Sequence, residues 1–175
     1  MAVLAADQLA KMIAIENLPS DRVVPVIGEV LQFYLVRNPG AAFSLGEGVT
    51  WIFTIALAVV AGVIVFLAVT RVRSRLWAVV LGLLLGGVLG NLTDRLFREP
   101  GFPVGHVVDF ISTPWMMPAI YNVADVFIVS MMISVALLVL VGLRLDGTRE
   151  TRASRTAGAE APDDSIGATT DPGPR

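Results

Sequence analysis

The chain has 175 residues, of which 55% are hydrophobic and only 16% charged, an apolar weight that a soluble domain of this length rarely carries. A formal net charge of -2 discriminates little for such a chain, but the absence of cysteine excludes disulfides, a thiol nucleophile and thiolate metal sites. In chain order, residues 1–15 are apolar but interrupted by Asp7 and Lys11. No basic stretch precedes them and an acid sits inside them, so they do not read as a signal peptide. They are read as a first transmembrane helix, over about residues 1–17, that lacks part of its start. Asp7 and Lys11 stand four apart on one helix face and are read as a structural ion pair. Residues 23–36 carry β-branched side chains in partial alternation, which predicts short strands.

Residues 49–70, 76–93 and 126–143 contain no charged side chain. Each run is long enough to cross a hydrocarbon core of about 30 Å at about 1.5 Å per residue. Backbone in lipid must satisfy its own hydrogen bonds, so the runs predict helices over about 49–70, 76–95 and 120–144. The middle one carries Gly82, Gly86 and Gly90 with Gly87 beside them, a small-residue stripe suited to close helix packing. Residues 101–115 mix apolar and polar types around Gly and Pro and are expected to lie along the membrane surface or dip into it. Arg71, Arg73 and Arg75 crowd one link, and Arg144, Arg149, Arg152 and Arg155 follow the last run. The excess of arginine places both segments in the cytoplasm, and residues of about 18–48 and 96–120 outside. The expected organisation is a membrane domain over 1–145 and a disordered cytoplasmic tail over 146–175, which is rich in Thr, Ala, Gly, Asp and Pro.

Polar side chains at membrane depth are costly, so each invites a reason. Besides Asp7 and Lys11, the set is Asn38, Asn91, Asp94, Arg95, Asp109, Asn122 and Asp125. Adjacent residues on a helix do not face each other, so Asp94 and Arg95 are expected to meet different partners. Arg95 reads either as the holder of a carboxylate or lipid phosphate, or as an interfacial anchor. Asp125, at the head of an apolar helix, reads either as a charge answering the helix dipole or as a reactive group. Asp109, within Val107-Val108-Asp109-Phe110-Ile111, reads either as a turn cap or as its partner. If the two meet, they cannot both ionise cheaply and one pKa rises. A pair sharing one proton can activate water with one member and protonate a leaving amide with the other, which is peptide hydrolysis without metal, Ser or Cys. His106 is the single histidine, so a two-His metal site is impossible within one subunit, and it reads as an interfacial histidine. No cofactor is called for. A proton-coupled transporter or channel would spread its carboxylates through the membrane depth and break its helices, whereas these cluster near one face. A scaffold packing through the glycine stripe would leave both aspartates without a reason.

Five motifs then stand in order: Asp7-Gln8-x-x-Lys11, Asn38-Pro39-Gly40-Ala41-Ala42-Phe43-Ser44, Gly86-Gly87-x-x-Gly90-Asn91-Leu92-x-Asp94-Arg95, Val107-Val108-Asp109-Phe110 and Asn122-Val123-Ala124-Asp125. Together they resemble the bacterial lipoprotein signal peptidase (signal peptidase II) family, over about residues 3–143. The resemblance implies an all-α membrane protein with four transmembrane helices and a small extracytoplasmic β-cradle, in the bacterial cytoplasmic (inner) membrane, with both termini cytoplasmic and the active site near the outer face. It implies aspartyl endopeptidase activity on diacylglyceryl-modified prolipoproteins, catalytic roles for Asp109 and Asp125, and substrate-binding or supporting roles for Asn38, Gly40, Asn91, Asp94, Arg95 and Asn122. The expected partners are the lipid-modified substrate, membrane phospholipids and globomycin-type inhibitors in the same cleft, with no nucleic acid and no obligate protein partner. Three features depart from the family pattern: the short first helix, Tyr121 where Phe is common, and the acidic tail after Asp146.

Overall fold

The computed structural model describes residues 1–40 and 49–149. Residues 41–44 of the second motif and 150–175 of the tail fall outside the described residues. Four helices and four strands follow in chain order: α1 (Ala2–Asn17), β1 (Val24–Ile27), β2 (Leu31–Asn38), α2 (Thr50–Thr70), α3 (Arg75–Phe97), β3 (Val107–Thr113), β4 (Met117–Tyr121) and α4 (Val123–Leu140).

Among the described residues, α2, α3 and α4 are long and apolar enough to cross a membrane. At 1.5 Å per residue they run about 31, 34 and 27 Å. Only 6% of the apolar stretch of α4 is buried inside the protein, against 56% for α3. α3 is therefore the central helix, packed against α1, α2 and α4, while α2 and α4 turn apolar faces outward that need a hydrocarbon surrounding. α1, with 16 residues, reaches only about 24 Å and is not among the three.

The glycines of α3 set how closely its neighbours approach. A Cβ on Gly86 would stand 2.8 Å from Val3 Cβ of α1, and one on Gly87 would stand 2.8 Å from the Ala124 carbonyl of α4. One on Gly90 would meet Asp7 Oδ2 at 2.6 Å. Gly82 faces open space and does not share the packing role expected of the stripe.

The strands form one antiparallel sheet in the order β1-β2-β3-β4. β1 and β2 are the short strands expected from residues 23–36 and pair as a hairpin, with Gly28 at φ +51 in the turn. The segment 101–115, expected to lie along the membrane surface or dip into it, instead contributes a strand over Val107–Thr113: β3 pairs with β2 on one edge and β4 on the other. Its apolar run is buried on both faces, which is why it shows no alternation (Val107, Val108, Asp109 and Phe110 are all buried). The last helix is also shorter than the 120–144 expected. Residues up to Tyr121 pair with β3, and Asn122 caps α4 through a reciprocal capping box with Asp125. At the other end Gly142 takes φ +71, with Gly142 N donating to Val139 O and Leu143 N to Leu138 O, which ends the helix. Beyond it, residues 144–149 turn back, Leu143 bridges Arg149, and Leu145 O accepts from the Arg73 and Ser74 amides.

Candidate active site

β3 places Asp109 opposite Val36, so Asn38, two residues along β2, lies diagonally across the same face. Asn38 Nδ2 donates to Asp109 Oδ2 at 2.9 Å. The other oxygen, Oδ1, accepts from Asn122 Nδ2 at 2.7 Å. Asp125 sits one turn into α4. Its Oδ2 accepts from the Asn122 amide at 3.1 Å and its Oδ1 from Asn91 Nδ2 of α3 at 2.7 Å. Each of the four carboxylate oxygens thus receives an amide N–H. The capping role weighed for Asp125 is real, and it coexists with the contact to Asn91. Both aspartates line one cleft of about 250 Å³, whose apolar wall comes from Phe53, Leu57 and Val60 of α2.

Asp109 is pushed up to a pKa of about 7, first by burial and then by the charge of Asp125; the Asn38 and Asn122 hydrogen bonds and Lys11 oppose the shift. Asp109 therefore keeps its proton to much higher pH than an ordinary carboxylate.

Behind the aspartates lies a buried ion cluster that the sequence showed only in part. Lys11 and Asp7 pair at 2.8 Å, as their spacing predicts. The lysine, fully buried, also meets Asp94 Oδ2 at 2.8 Å and donates to Asn91 Oδ1 at 3.0 Å, so each of its three N–H groups has an acceptor. An ammonium only donates, so the Asn91 oxygen must face Lys11, and its NH2 is left for Asp125. Asp7 Oδ1 accepts from the Ala124 amide, one of the orphan donors at the head of α4. Asp94 also accepts from Arg98 Nε at 2.6 Å and from the Val108 amide of β3. Asp94 therefore supports the site from behind and does not line the cleft.

Arg95 is 97% buried and, among the described residues, forms no ion pair; it donates to the carbonyls of Pro39, Gly105 and, in a short contact, Gly40. Its guanidinium lies 5.7 Å from the centre of the Phe53 ring. Gly40 N in turn donates to Asn38 Oδ1. Arg95 thus pins the end of β2 and the segment before β3 around the cleft. Gly105 must be glycine for this: a Cβ there would stand 2.5 Å from Asp94 O.

A family model described as Signal peptidase (SPase) II matches residues 1–143. The chain belongs to this family. Proteins named lipoprotein signal peptidase are similar to it: one from Leifsonia xyli subsp. xyli is 51% identical over 150 residues, covering 86% of this chain and 68% of the relative. One from Rhodococcus jostii is 50% identical over 150 residues, covering 85% and 73%. One from Mycobacterium avium is 46% identical over 145 residues, covering 82% and 78%. Two solved structures of a bacterial membrane enzyme obtained by the in meso method share the fold. One has a TM-score of 0.70 and 27% identity over 79% of this chain and 82% of that one. The other has a TM-score of 0.67 and 28% identity over 79% and 87%. The three apolar helices and this membership make the chain a multi-pass membrane protein.

Within this signal peptidase II framework, Asn38, Gly40, Asn91, Arg95, Asp109 and Asp125 line the cleft together, and Asn122 joins both aspartates from beneath. His106 is not among the lining residues. Phe53 is the one lining residue with a specific contact that sequence reasoning missed, since an aromatic inside an apolar run carries no signal of its own. The links from Lys11 to Asn91 and Asp94 were missed as well, although the Asp7/Lys11 spacing had marked that helix face.

Proposed function

We propose that the chain is an aspartyl endopeptidase that removes the signal peptide from diacylglyceryl-modified prolipoproteins. One observation carries this reading: two buried carboxylates line a single cleft, each oxygen oriented by an amide donor, with Asp109 raised to about 7. The family and the names of its relatives supply the substrate class.

Near neutral pH the pair carries one proton, held on Asp109. The ionised Asp125 takes a proton from a bound water, whose oxygen attacks the scissile carbonyl, while Asp109 gives its proton to the carbonyl oxygen. The tetrahedral adduct then collapses: its C–N bond breaks, the amine leaves with the proton that Asp125 had taken, and one hydroxyl of the adduct returns its proton to Asp109, which frees the new carboxyl group and restores the one-proton pair. The cleft is several times the roughly 30 Å³ share of one water, so it has room for a peptide bond and the attacking molecule. The α2 wall keeps bulk water away.

The orientation completes the proposal. The protein lies in the bacterial cytoplasmic membrane with four crossings, including α1, with both termini cytoplasmic and the cleft near the outer face, where a lipid-tethered substrate arrives by lateral diffusion. Residues 1–145 form the catalytic unit and 146–175 a cytoplasmic tail. Globomycin-type cyclic peptides occupy the same cleft. Asp109→Asn and Asp125→Asn each lower cleavage of a diacylglyceryl-modified precursor at least about a thousandfold while the protein still inserts. A gel-shift assay with purified enzyme reads this directly; undiminished cleavage by either variant refutes the pair. Proton flux into liposomes that disappears in the same variants would favour a transporter instead.

A further inference from the structure

A second, larger cavity lies at the opposite end of the helices from the aspartates. It has a volume of about 750 Å³ and opens between α2, α3 and α4. The link after α2 and the turn after α4 form a collar around it, held together by the Arg73 and Ser74 amides donating to Leu145 O. Arg71 and Arg73 line it from the link and Arg144 from the turn, against one acid, Asp146. The Asp146 carboxylate is already engaged by Thr148, whose amide and hydroxyl lie 2.9 and 2.6 Å from Oδ1. Asp146 also interacts with Arg144, and three arginines against this one acid leave an excess of positive charge among the described lining residues. Deeper in, Leu67, Leu81 and Val139 make the wall apolar. Trp77 also lines the cavity; it is 97% buried, and its buried indole Nε1 has no hydrogen-bond partner among the described residues. A buried N–H donor is almost always paired, so this one is a place for an acceptor that the described residues do not supply.

We propose that this cavity binds one anionic phospholipid of the leaflet on the arginine-rich side. The three arginines receive the phosphodiester, Trp77 donates to an ester or phosphate oxygen, and an acyl chain lies along the apolar wall. Charge favours this occupant: basic pockets between membrane helices hold anionic headgroups, and a zwitterionic lipid offers the arginines no net charge. Arginine suits the task because its planar fork pairs with two phosphate oxygens at once. The site is separate from the aspartate cleft and does not depend on the chemistry proposed there.

Native mass spectrometry of the full chain tests this, with the protein purified in detergent and given equal amounts of phosphatidylglycerol and phosphatidylcholine of matched acyl chains. The expected result is one retained phosphatidylglycerol, favoured about tenfold or more. Replacing the three arginines together (R71Q/R73Q/R144Q) brings the two lipids to parity. Arg75→Gln, beside the collar but not lining the cavity, leaves the preference unchanged. Trp77→Phe keeps the ring but removes the donor, and lowers phosphatidylglycerol retention about fivefold. A thermal midpoint in detergent within a few degrees of the unmodified protein shows that the variants fold. The proposal is overturned by parity in the unmodified protein, or by an undiminished preference in the triple variant. It is equally overturned if Trp77→Phe has no effect, since surface charge alone would then explain retention. Displacement of the lipid by millimolar glycerol 3-phosphate would identify a small-anion site and overturn it too.

Discussion

At the scale of single residues, the raised pKa of Asp109 has two measurable consequences. Activity needs one proton on the pair, so kcat/KM falls as pH rises through about 7. A pH–rate profile with no alkaline limb in that region would contradict the assignment of the proton. Stability moves the same way. A carboxylate whose folded pKa lies above its unfolded value binds more protons when folded, so stability is lost as pH rises from the unfolded pKa of about 4 to the folded value of about 7. Asp109→Asn removes that pH-dependent penalty at the cost of one accepted hydrogen bond, so its thermal midpoint relative to the unmodified protein in detergent is expected to be higher at pH 8 than at pH 5. Equal effects at both pH values would show that Asp109 ionises normally. Lys11 makes a different prediction. Lys11→Met leaves Asp7 and Asp94 buried without their shared cation, which lowers stability by about 3–5 kcal/mol. Adding Asp94→Asn recovers part of that loss, and a wild-type midpoint for Lys11→Met would remove the cluster from the supports of the site. These residues also mark where the sequence was legible. A carboxylate inside an apolar run stands out, so Asp109 and Asp125 were found. The partners of Arg95 were not legible because they are backbone carbonyls, which every residue has. The tie from Lys11 to Asn91 spans 80 positions and has no local signature.

Elements were legible where one force dominated. Charge-free runs fixed α2 and α3 to within two residues at each end, because in lipid the backbone has few alternatives to helix. β3 was missed because it is buried on both faces and therefore shows no period of two. Both ends of α4 were overextended although the signals stood in the chain: Asn122 and Asp125 at capping-box spacing, and Gly142 at the helix end. The glycines of α3 separate packing from composition. Gly87→Ala drives a Cβ to 2.8 Å from the Ala124 carbonyl, and backbone cannot yield cheaply, so it destabilises the protein by about 1–3 kcal/mol. Gly82→Ala meets open space and gains helix propensity, so it is neutral or stabilising by up to about 1 kcal/mol. Thermal midpoints of the two variants in one detergent check the contrast. Equal shifts would mean that α3 and α4 do not pack at the spacing described.

For the whole molecule, the number of crossings turns on α1. At about 24 Å it falls short of a 30 Å core, and its buried polar pair would be costly in lipid on its own. Its setting offsets both objections. Asp7 and Lys11 are fully buried against α3 and α4 and satisfied by them, and α1 turns Leu9, Met12 and Ile13 outward as a lipid-facing surface. A short helix is accommodated by local bilayer thinning at a modest cost. With no native cysteine, single-cysteine variants report topology without background. Glu29→Cys, in the turn between β1 and β2, and Thr148→Cys, in the turn after α4, are exposed and separated by α2, α3 and α4, so they label from opposite sides whatever α1 does. Ala2→Cys decides the matter. If α1 crosses, an impermeant maleimide added to intact spheroplasts modifies Glu29→Cys at once, and reaches Ala2→Cys and Thr148→Cys only after permeabilisation. If Ala2→Cys instead labels together with Glu29→Cys, α1 lies on the outer side. The bundle then has three crossings, and Lys11 reaches Asn91 from the surface of the membrane and not from within it.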